Sequence, residues 1–180
     1  EPKKVIEILN NIADKILAVR GNCDTEVDQM VLKFPILADY IYLVDEGTVF
    51  FVTHGHIYNK DNLPPLADGS VLLHGHTHVP VCEAVGHITV MNPGSVSIPK
   101  ENSAHSYITF TDVLIEWKNL DGEVYNTYTI YPYRVNYTLL SIYYTKLLHK
   151  HLVILTSFYH TFYKRLLIFS FTHISYSLYV

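Results

Sequence analysis

Cysteine is scarce in this chain: Cys23 and Cys82 are the two among 180 residues, and they lack CxxC spacing. That excludes a disulfide framework and a zinc knuckle, and two distant thiols suit a reducing compartment, so a cytoplasmic location is expected. Charge is also sparse. Asp, Glu, Lys and Arg make up 17% of the residues and the formal net charge is -4, which leaves no broad basic surface for bulk nucleic-acid binding. Nor is there an uninterrupted apolar run of the roughly 18 to 20 residues that a spanning helix needs. The richest stretches are broken by Lys146, His149, Lys150 and His151 and by Lys164-Arg165, so no membrane segment is expected. An apolar leader is missing as well, since Glu1-Pro2-Lys3-Lys4 opens directly into helix-like sequence without an initiator Met, and an upstream portion is expected to be absent. What remains is a chain 49% hydrophobic, enough for the core of one ordinary domain.

Val5, Ile8, Leu9, Ile12 and Ile16 recur at helical spacing behind Pro2, a good first helical residue, and predict an amphipathic helix. Residues 15–20 then alternate into a short strand ending at Gly21-Asn22. Tyr40 to Val44, Asp45-Glu46-Gly47 and Thr48 to Thr53 predict a hairpin. Val71 to Leu73 is a buried run that breaks at His74-Gly75. Val81 to Val85 and Ile88 to Met91 predict a second hairpin, closed by the turn-forming Asn92-Pro93-Gly94-Ser95, and Tyr107 to Phe110 and Val113 to Trp117 add two strands. One helix with several short strands gives a layered α/β domain over residues 1–122. In residues 123–180 Tyr, Leu, Ile and Phe crowd together, with 11 of the 15 tyrosines, and this tail reads as sequence never selected to fold, as after a frameshift.

Five of the 11 histidines fall in two short clusters, Thr53-His54-Gly55-His56 and His74-Gly75-His76-Thr77-His78, each behind a predicted strand. In an ideal strand His76 and His78 point the same way, and imidazole nitrogen suits Zn, Mn, Fe or Ni. The bland alternatives are a polar surface loop for the second cluster and a satisfied core histidine for the first. Gly21-Asn22-Cys23-Asp24 supplies an amide oxygen and a carboxylate, or is simply a good turn. Cys23 is either a reactive thiolate or an inert, partly buried thiol, and Asp24 either orients a ligand or caps the segment from Thr25 to Leu32.

The succession Ala18-Val19-Arg20-Gly21-Asn22-Cys23-Asp24, Phe51-Val52-Thr53-His54-Gly55-His56, Gly75-His76-Thr77-His78 and Asn92-Pro93-Gly94-Ser95 closely resembles the calcineurin-like metallophosphoesterase superfamily, specifically its YfcE-like phosphodiesterases. The resemblance covers roughly residues 1–122. It implies an α/β fold of two facing β-sheets, a layered sandwich flanked by helices, here missing its first strands. Asn22, His54 and His76 would match the shell of one metal and His78 a ligand of the other, with His56 the poorer ligand of its pair. The resemblance leans toward manganese, with Zn, Fe or Ni as alternatives.

Cys23 stands where many members carry a His near the leaving group, and with Asp24 it forms the catalytic candidate pair. Family members also begin with Asp-x-His and Gly-Asp motifs, and neither occurs here, so the carboxylate that bridges two cations is lacking and two-metal binding should be weaker. The implied activity is metal-dependent hydrolysis of a small phosphodiester from an incomplete site. Two alternatives are a non-catalytic interaction module, like the retromer subunit with this fold, and an inert fragment whose unpaired sheet edge favours self-association.

Overall fold

The computed structural model describes residues 2–45, 47–131 and 167–168 of the chain. Helix α1, Pro2–Asn11, begins at the expected proline and gives way to a single 3-10 turn, Ala13–Lys15. Helix α2, Glu26–Val31, is short and starts at Thr25, whose backbone N–H and hydroxyl both donate to the Asp28 carboxylate at 2.8 Å. Thr25 and Asp28 thus cap this helix, and Asp24 does not. The two helices are tied by Asn10: its amide donates to Val31 O at 2.9 Å and its oxygen accepts Lys33 N–H at 2.8 Å. Between and behind them Leu9, Leu32, Phe34 and Ile36 form a small core, with Ile6, Ile16 and Ala18 against it.

Nine strands follow among the described residues. A five-stranded sheet has the order β1 (Tyr40–Asp45), β2 (Thr48–Thr53), β3 (Val71–His74), β5 (Ile88–Pro93), β4 (Pro80–Val85). Its centre, β2, β3 and β5, is parallel, and an antiparallel hairpin closes each side. Every residue of β3 is buried, as expected of a parallel strand covered on both faces. The second sheet has the order β8 (Val124–Thr129), β7 (Leu114–Asn119), β6 (Ser106–Thr111), β9 (Leu167–Ile168), all antiparallel. The main core lies between the sheets, with Phe50, Val52, Val71, Leu73 and Met91 on one side and Ile108, Ile115, Trp117 and Ile130 on the other. The Trp117 indole N–H is satisfied by Asn92 O at 2.8 Å. The opposite face of the first sheet buries Phe51, Leu72, Ile88 and Val90.

Three expectations need correction. Residues 16–20 are extended at Ile16 but form no strand, because a strand needs a ladder and the bond that Arg20 N–H donates to Ala38 O at 2.7 Å does not extend into one. The stripe on α1 is only partly inward: Leu9 is buried while Ile8 is 62% exposed, with Val5 and Ile12 exposed too. The folded unit also passes residue 122, since β8 pairs with β7 and Ile130 enters the core. The reading of the tail otherwise falls on residues 132–166 and 169–180, outside the described residues.

Candidate metal centre

The parallel register places Thr53 beside His74, so the chain leaves β2 and β3 side by side and delivers both histidine clusters to one end of the sheet. Gly75 N–H donates to His54 O at 2.9 Å and locks the two exits together. Asn92, at the end of the next parallel strand and fully buried, holds the second loop: its amide donates to Gly75 O at 2.8 Å and Thr77 Oγ1 at 3.0 Å, while its oxygen accepts Gly94 N–H at 2.8 Å. Thr77 N–H turns back to Gly75 O at 2.8 Å, a tight turn about His76.

His76 and His78 each have a φ of +66°, the left-handed region that non-glycine residues seldom occupy. The alternation of an ideal strand therefore does not orient this pair; the bent loop does. Gly55, at a φ of +112°, must be glycine, since a Cβ there would stand 2.9 Å from His74 Nδ1 and 3.2 Å from Gly75 O.

Asn22 arrives from the other side, on the turn before α2, which Asp24 fixes by accepting Gly21 N–H at 2.6 Å. Its Oδ1 lies 2.8 Å from His54 Nε2, and that nitrogen lies 3.1 Å from His76 Nδ1. Three lone-pair atoms thus converge where a single N–H cannot serve as a full donor to both neighbours. Donor atoms about 2.1 Å from a cation and at right angles to each other stand roughly 3 Å apart, so these separations fit the shell of one divalent ion. Among the described residues, however, no three His, Cys, Asp or Glu side chains are arranged to hold a metal; the cluster reaches three donors only through the Asn22 oxygen.

His78, also buried, donates from Nδ1 to Ile98 O at 2.7 Å, which leaves Nε2 as its ligand-capable nitrogen. His56 is exposed, its ring 5.3 Å from that of His54 and 6.2 Å from that of His76. Cys23 is half-buried, and its sulfur accepts the Asn22 amide at 3.5 Å.

Burial, and then the neighbouring His76, His56, His78 and His74, lower the His54 pKa to about 4, and burial followed by His56, His78 and Lys100 lowers that of His76. Both rings are therefore neutral near pH 7, the state in which imidazole binds a metal. Sequence reasoning took Asn92 as a turn former and missed its bracing role; its position at the end of a buried strand, directly before Pro-Gly, was the available signal.

Residues 1–112 match the calcineurin-like phosphoesterase superfamily domain. The chain is 54% identical over 106 residues to the phosphodiesterase YfcE of Escherichia coli strain K12, which covers 59% of this chain and 58% of that one. A phosphodiesterase of Methanocaldococcus jannaschii is 32% identical over 98 residues, covering 50% of this chain and 58% of its own. The solved structure of the E. coli phosphoesterase superposes with a TM-score of 0.70 at 45% identity, over 73% of this chain and 72% of that one. The chain thus spans under three-fifths of the length of these curated relatives.

Proposed function

Since this chain belongs to the calcineurin-like phosphoesterase superfamily, we propose that it carries the cation-binding part of a phosphodiesterase that acts on a small phosphate diester. The observation that carries this reading is the convergence of Asn22 Oδ1, at 2.8 Å, and His76 Nδ1, at 3.1 Å, on His54 Nε2. These three hold a first divalent cation, and His78, its Nδ1 engaged by Ile98 O, offers Nε2 to a second. Manganese is the assigned ion on the resemblance to the family; two imidazoles and an amide oxygen accommodate it, as they do Zn, Fe or Ni. A divalent cation bound there supplies Lewis acidity, polarising phosphoryl oxygens and making water more acidic.

The chain's own residues do the rest. His54 is kept neutral by burial and then by His76 and the other histidines, and His76 by burial and then by His56, His78 and Lys100, so they present lone pairs without first losing a proton. Asp24 is a positioning residue, setting the turn that aims Asn22. By the resemblance, Cys23, beside Asn22, takes the position near the leaving group. With two free cysteines, the protein is assigned to the cytoplasm. No helix among the described residues is long and apolar enough to cross a membrane.

Calorimetric titration with Mn²⁺ tests the first step: one ion should bind per chain, with the heat lost in His54→Ala. A chain that binds no Mn²⁺ sinks the assignment. Hydrolysis of a chromogenic phosphodiester with added Mn²⁺, abolished in His76→Ala/His78→Ala, tests the second step, and metal binding without turnover would leave a binding site and remove the enzyme.

A further inference from the structure

The loop that leaves β5 is built around His78. Ser95 Oγ accepts the N–H of Ser97 at 3.3 Å and of Ile98 at 2.9 Å, and His105 donates from Nδ1 to Val96 O at 2.9 Å, which fixes the base of the loop. Ile98 O takes the His78 Nδ1–H at 2.7 Å, and Lys100 N–H donates to His78 O at 3.2 Å, so both the side chain and the main chain of His78 are gripped. The Lys100 carbonyl is engaged as well. It accepts Ser103 N–H at 3.0 Å and the Ser103 hydroxyl at 2.6 Å, across a turn whose central residues, Glu101 and Asn102, stand at φ of +54° and +55°. The main chain of Lys100 is therefore held on both sides while its side chain is exposed.

This anchoring puts an ammonium on a flexible stem beside the histidine loop. Its charge is felt there: after burial, His56, His78 and Lys100 lower the His76 pKa, and of these three Lys100 is the one that is not a histidine. A positive charge that opposes a proton on His76 equally opposes a divalent cation at that ring. Taken alone, then, Lys100 works against the cation site that Asn22, His54 and His76 form. The sign reverses once an anion is present, because a phosphate diester carries negative charge that cation and ammonium can both contact.

We infer that Lys100 is a substrate-binding residue, its ammonium donating to a non-bridging phosphoryl oxygen of a phosphate diester bound beside His76. The inference rests on the phosphodiesterase reading above and adds to it the group that receives the anion. The backbone bonds to His78 and Ser103 set where the stem begins, and the exposed stem lets the ammonium close on the anion when it arrives. A diester monoanion needs a point charge of this kind and not a bidentate clamp.

The test is calorimetric titration of the full chain with diethyl phosphate, a diester with a poor leaving group, in the presence and absence of Mn²⁺. Lys100→Met should weaken diester binding by about tenfold, and Lys100→Arg, which keeps the charge, should restore it to within about threefold of the unmodified chain. Mn²⁺ affinity should move the other way in Lys100→Met, unchanged or up to about threefold tighter, since a repelling charge has been removed. A residue that merely propped up the loop would lower both affinities together and would not be rescued by Arg. Three results would overturn the inference: diester bound equally well by Lys100→Met, diester bound by neither form of the unmodified chain, or Mn²⁺ affinity lost in Lys100→Met. A chain that takes up no Mn²⁺ sinks the cation assignment instead, and Lys100 is then judged by the same comparison of variants in the metal-free titration.

Discussion

His54 shows how much a single buried side chain sets in this protein. Its pKa, lowered to about 4 by burial first and the surrounding histidines second, lies below the unfolded value of 6.5. The unfolded chain therefore binds more protons between these values, and stability must fall as pH drops from about 6.5 through 4. The loss should reach about 3 kcal/mol, the energy of two to three pKa units, measurable as a falling urea midpoint in metal-free protein. A midpoint that is flat across this window would show that the imidazole is not buried as described.

Asn92 makes a second case. Replacing it by alanine removes the donor to Gly75 O and Thr77 Oγ1 and the acceptor for Gly94 N–H, all inside the fold. Asn92→Ala should cost about 2–4 kcal/mol and weaken Mn²⁺ binding together with stability. Both histidine clusters were legible in the sequence because ligand-type residues followed apolar runs. The left-handed backbone at His76 and His78 was not, because it depends on Asn92 gripping Gly75, a contact 17 residues away in sequence.

Among the elements, both hairpins of the first sheet were legible, since alternation and turn residues are local signals: Tyr40 pairs with Thr53 and Val81 with Asn92. Residues 16–20 carry the same local signal and yet form no ladder, which pairing alone can supply. The opposite error occurred at β8. Val124–Thr129 has an exposed, Tyr- and Thr-rich pattern that merged with the composition of the tail, and only its ladder with β7, bulged at Trp117 and Lys118, makes it part of the sheet. Limited proteolysis followed by mass spectrometry should therefore give a resistant core that retains residues 124–131. A resistant core ending near residue 122 would put β8 outside the folded unit.

At the scale of the whole molecule, the layered architecture was legible from the succession of motifs, whereas the packing of Val19 on the core that holds Ile108 was visible only in the structure. Trp117, the sole tryptophan in 180 residues, is fully buried in that same core, and its indole is bonded to the backbone of the residue that braces the histidine loop. The molecule therefore contains its own optical reporter. One fluorophore, dry and attached to the loop through Asn92, converts movement of the histidine loop and loosening of the sheet packing into changes of a single emission band, with no label attached.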